Sequence, residues 1–108
     1  SDFYWHQTEG RKPMDVFRKF RMRLPEGQAV EWDPESPDFA SAILTLDFVG
    51  TIEVTLNGRV YTLTHEEAGK PEIFGTRFYK KTPGLKVRAL VNSEVKSLKA
   101  ELYDCSPR

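Results

Sequence analysis

Apolar and polar residues alternate with period two along most of this chain, the spacing that gives a strand one buried and one exposed face. In VFRKFRMRL, Phe20, Met22 and Leu24 point one way, and Lys19, Arg21 and Arg23 the other. In AILTLDFV, Ala42, Leu44, Leu46 and Phe48 share a face against Thr45 and Asp47, and Gly50 then permits a turn. IFGTRFYKK reads as a further strand, and Thr82-Pro83-Gly84 as the turn after it, with Pro at a position whose φ it already fits. LKVRALV follows, with Leu85, Val87, Ala89 and Val91 alternating against Lys86 and Arg88.

The firmest local signal is TIEVTLNGRVYTLT. Asn57-Gly58 is the favoured pair for a two-residue type I′ turn, because both positions need positive φ. Such a turn pairs Leu56 with Arg59, Thr55 with Val60, Val54 with Tyr61 and Ile52 with Leu63. Ile52, Val54, Tyr61 and Leu63 then form one apolar face, while Glu53, Thr55, Val60 and Thr62 form the other, so pattern and turn agree.

Two stretches resist a simple reading. Pro25, Gly27, Pro34 and Pro37 break LPEGQAVEWDPESPDF into a long loop that carries Val30 and Trp32 back towards the core. In SEVKSLKAELYD, Leu98, Ala100 and Leu102 alternate as in a strand, yet Val95, Leu98 and Leu102 also fit a helical stripe of good helix formers. The strand is the preferred reading, since no Glu–Lys pair has the supportive four-residue spacing, and a short C-terminal helix stays open. Short strands with turn signals about every ten residues predict an all-β, antiparallel β-sandwich. The absence of crossover helices disfavours parallel α/β.

Bulk properties narrow the class. The 108 residues suit a single domain, spanning 1–108 with an aromatic N-terminal arm at 1–12, and 39% hydrophobic content can close one core. No apolar run approaches the ~20 residues of a membrane helix, and no signal-peptide pattern is visible. A soluble protein is expected, its compartment open. Cys105 is the only cysteine, which excludes an internal disulfide and a Cys-rich zinc site.

The formal net charge is zero, which argues against general nucleic-acid binding. The charge is nevertheless laid down in blocks. Arg11, Lys12, Arg18, Lys19, Arg21 and Arg23 come first, with Asp15 the only acid among them. Glu26, Glu31, Asp33, Glu35 and Asp38 follow without a base, and Arg77, Lys80, Lys81, Lys86 and Arg88 form a second basic block. Such blocks can complement each other within one fold or across two copies.

Catalytic signatures are missing: there is no phosphate-cradling glycine loop and no nucleophile elbow. His6 and His65 lie far apart, and His65-Glu66-Glu67 lacks the second histidine of a helical zinc site, so it reads as a solvated loop. Asp33, Glu35 and Asp38 offer carboxylates in a Pro-stiffened loop, but their spacing matches no standard calcium loop. No enzyme, metal or cofactor is expected. The binding candidates are aromatic: Phe3, Tyr4 and Trp5 in the arm, which either anchor the first strand or dock on a partner, and Trp32, Tyr79 and Tyr103 as rings that could stack on a ligand.

VFRKFRMRLP, ASAILTLDFVGTIEVTLNGRVYTL and TPGLKVRAL together resemble, over about two thirds of the chain, the galactose-binding-like jelly-roll modules found beside glycoside hydrolases. The resemblance implies a non-catalytic jelly-roll sandwich that often binds glycan through loops at one end, and it transfers no site residue. Two functions are therefore expected to compete. The first is a structural or assembly protein, such as a phage or viral virion component (a decoration or tail protein), in contact with copies of itself or other subunits. The second is a carbohydrate-binding module; a small enzyme is a distant third.

Overall fold

In the computed structural model the described residues are 10–37, 39–78 and 83–104, and they form seven strands and no helix. These are β1 (Asp15–Leu24), β2 (Ala29–Trp32), β3 (Ala40–Leu56), β4 (Arg59–His65), β5 (Glu72–Phe78), β6 (Leu85–Ala89) and β7 (Ser93–Asp104). Every pairing is antiparallel.

The plan of the fold is a ribbon folded about Asn57-Gly58. Nested outwards from that turn, β3 pairs with β4 and then with β5, β2 pairs with β6, and β1 pairs with β7. The ribbon then rolls up, so that β7 and β6 also pair with β3. The N-terminal half of β3 lies in a sheet ordered β1-β7-β3-β5, and its C-terminal half in a sheet ordered β4-β3-β6-β2. This nesting is the jelly roll, an antiparallel sandwich all but closed into a barrel.

The hairpin forms as its sequence requires. Asn57 and Gly58 have φ of 48° and 87°, and the register is Leu56↔Arg59, Thr55↔Val60, Val54↔Tyr61 and Ile52↔Leu63. Gly50 makes a corner rather than the expected turn, because β3 runs on through it as a single 17-residue strand. Its φ of 119° lies where side chains are disfavoured, and an added Cβ would stand 2.7 Å from Ser93 Cβ and 3.0 Å from Ser93 Cα. Only glycine lets β3 cross from sheet to sheet against β7.

Ala42, Leu44, Leu46 and Phe48 share the inner face as expected, and with Ile52, Val54, Leu85, Val87, Leu98 and Leu102 they fill the space between the sheets. Each such large side chain contributes about 1.5–3 kcal/mol by leaving water. The expected loop at 24–39 does return Trp32 to this core, by way of the short β2.

One preference holds and one expectation needs correction. The C-terminal segment is strand throughout, as preferred, and the short helix left open does not form. Val95 and Leu98 both point inwards although three residues apart, because β7 bulges against β3 between the pairs Asp47↔Ser97 and Phe48↔Val95. A bulge adds one residue and resets the alternation, and this produced the spacing that imitates a helix. Opposite it, Arg21 of β1 takes φ 49°. Phe20 therefore does not share the face of Met22 and Leu24. Its ring points outwards and is 63% exposed, whereas Phe17 packs against the core in its stead.

Candidate functional site

The inner face is half-open along β4 and β5, the edge strands on one side of the sandwich. Tyr61 and Leu63 of β4 and Phe74 of β5 pack on the core but remain half-buried, and the Tyr61 and Phe74 rings meet at 4.9 Å. His65 ends β4 on the same face, stacked on Phe48 with ring centroids 4.4 Å apart. Its Nε2 lies 2.8 Å from Oε1 of Glu72, the first residue of β5. This contact joins the two sheets close to the corner of β3.

The loop between His65 and Glu72 is held down as well. Gly69 N donates to Oδ1 and Oδ2 of Asp47, at 2.9 and 3.1 Å, and Lys70 pairs with Glu67 at 2.9 Å. Thr64, His65, Glu66, Glu67 and Lys70 line an open cleft of about 540 Å³. In the neutral ring Nε2 carries the proton that the Glu72 carboxylate accepts, and Nδ1 is then left as an acceptor. Nδ1 is buried and has no hydrogen-bond partner among the described residues. A buried polar atom without a partner costs about 1–3 kcal/mol. The expectation that His65-Glu66-Glu67 is merely a solvated loop therefore fails for His65.

The aromatic candidates fare unevenly. Phe3, Tyr4, Trp5 and Tyr79, like His6 and Cys105, lie outside the described residues. Trp32 is corrected from ligand-stacking ring to core residue: it is 9% exposed, stacked on Phe17 at 5.9 Å and tilted against Phe78 at 6.0 Å. Tyr103 is 8% exposed and its hydroxyl donates to Glu101 at 3.0 Å. Burial, then the hydrogen bond to Glu101 and its negative charge, push the phenol up to about 12. Neither ring presents a free platform to a sugar. Among the described residues no group of three or more His, Cys, Asp or Glu side chains converges as a metal site, and no helix is long and apolar enough to cross a membrane.

No protein-family model matches the chain, and no curated protein matches it. Among solved structures it is similar to the Cupin_2 domain of an XRE family transcriptional regulator from Enterobacter cloacae, at 20% identity over 90% of this chain and 95% of that one, with a TM-score of 0.46. That neighbour is a jelly-roll-type β module and not a galactose-binding-like one. The expectation of a virion component is corrected here: the structure found is a regulator domain, not a virion part. Jelly rolls serve capsids, lectins and cupins alike, so the fold itself does not favour the virion. Function has to be read from this chain's own side chains.

Proposed function

We propose that the protein is a non-catalytic ligand-binding module, which takes a small molecule at the His65 end of the sandwich. The observation that carries this reading is the buried, unpartnered Nδ1 of His65 beside an open cleft. A hydrogen-bond donor on a ligand would satisfy it once the side chains covering this buried atom move aside. Glu66 and Glu67 outnumber Lys70 in the cleft lining, so a donor that is cationic is favoured over an anion. Tyr61, Leu63 and Phe74 offer half-buried apolar surface beside the same histidine, which suits a molecule with an apolar or aromatic body. His65 and Glu72 work here as positioned hydrogen-bonding groups.

The test is a titration followed by backbone amide shifts, using tyramine as donor-bearing cationic probe and benzoate as anionic control. Tyramine should move the amides of His65, Glu66, Lys70 and Glu72 at millimolar concentration, and benzoate should not. His65→Phe keeps a ring on Phe48 but removes the acceptor, and should abolish the response. Silence towards tyramine, or an unchanged response in His65→Phe, would overturn the assignment.

A further inference from the structure

A different surface, the β1 edge of the sandwich, stands apart in its exposed side chains. β1 is an edge strand of ten residues, hydrogen-bonded to β7 on one side only among the described residues. Its outward side chains make an exposed stripe: Met14 just before the strand is 49% exposed, Val16 38% and Phe20 63%. These are three of the six large apolar side chains that the described residues leave exposed, so the patch is concentrated on this edge.

The cations of β1 stand outside the ion pairs found among the described residues, although Arg23 lies opposite Glu94 in register. The acidic stretch and the second basic block do meet inside the fold, through Lys86–Glu31 at 3.8 Å, and Arg88 of the same block pairs with Glu53 of β3 at 3.4 Å. On β7, next to β1, Lys96 and Lys99 pair with Glu94 and Glu101. Arg18, Lys19, Arg21 and Arg23 form no ion pair among the described residues, and Lys19 lies over the Phe17 ring instead. Cations on an edge strand usually keep other strands away. Protection alone does not explain an exposed apolar stripe on the same strand, since such a stripe invites the pairing that the cations discourage.

We propose that the free edge of β1 docks an extended, acidic segment of a partner protein, added to the sheet as a further strand. The backbone of the edge supplies main-chain hydrogen bonds, Val16 and Phe20 meet apolar side chains at alternate positions, and the four cations select carboxylates. A second copy pairing through its own β1 is disfavoured, because Arg18, Lys19, Arg21 and Arg23 would face their like.

The probe is a labelled peptide of Val-Val-Glu-Glu repeats, which puts valine and glutamate alternately on each face, compared with its lysine counterpart and an oligothymidine, with binding read by fluorescence anisotropy and hydrogen exchange. The glutamate peptide should bind most tightly, weaken as salt rises, and slow exchange within Asp15–Leu24. The exposed triple change Arg18→Glu, Arg21→Glu and Arg23→Glu should weaken it by at least about tenfold and strengthen the lysine peptide. Phe20→Ser should weaken the glutamate peptide with the charges intact. The proposal is overturned by any of four results: no binding at millimolar peptide, protection confined to other strands, oligothymidine bound as tightly as the peptide, or β1-dependent self-association that excludes the peptide.

Discussion

Gly50 and Tyr103 carry the sharpest predictions for single residues. Gly50 combines a φ of 119° with a close approach to the Ser93 backbone. Gly50→Ala should therefore cost about 2–4 kcal/mol, more than a surface substitution, because strain and collision add. Ser93→Gly in the same chain should recover only part of this, since the Ser93 backbone would still crowd the new methyl group; equilibrium denaturation measures both. Tyr103 makes a prediction in pH. Its phenol titrates at about 12 in the fold and near 10 in the unfolded chain. The folded form thus holds the proton more tightly, and the stability this contributes is complete below about pH 10 and lost as pH rises towards 12. Tyr103→Phe should flatten the decline of the unfolding midpoint in that window, and an unaltered slope would count against the assignment.

At the scale of elements, the Asn57-Gly58 hairpin was legible because local chemistry and face pattern are both set within fourteen residues. The bulges were not. Alternation assumes an unbroken period of two, and nothing in VFRKFRMRL marks Arg21 as the residue that resets it. The same blind spot kept a helix open at 95–103 beside the preferred strand. β2 was concealed by the prolines around it, although Trp32 was rightly drawn to the core. The nested pairing also bears on folding. The turn brings β3 and β4 together with a short loop, whereas β1 and β7 lie at opposite ends of the chain, so their pairing closes a long loop and is expected to come late. Val54→Ala should give a φ-value of roughly 0.5–0.8, and Leu102→Ala one of roughly 0–0.3, in folding and unfolding rates measured across denaturant. The reverse order would place the nucleus at the other end of the ribbon.

At the scale of the whole molecule, the candidate site shows why function was less legible than fold. His65 and Glu72 belong to different sheets, and their contact depends on the corner at Gly50 as well as on the loop pinned by Asp47. No spacing rule joins those facts. The charge blocks were visible at once, but which of them are neutralised internally depended on register: β2 lies beside β6, so Glu31 meets Lys86, while β1 has no acidic neighbour on its open side among the described residues. The nesting has a mechanical consequence too. Both ends of the ribbon emerge together, with Met14 N bonded to Leu102 O and Arg11 Nη1 to Asp104 O, each at a single point. A tension drawn through Arg11 and Asp104 would load the β1–β7 ladder like a zipper, one bond after another, instead of shearing all its bonds at once. Tethered in that way between two bodies, the jelly roll would yield at low force from its open end, and the Asn57-Gly58 turn would be the last part to feel the pull.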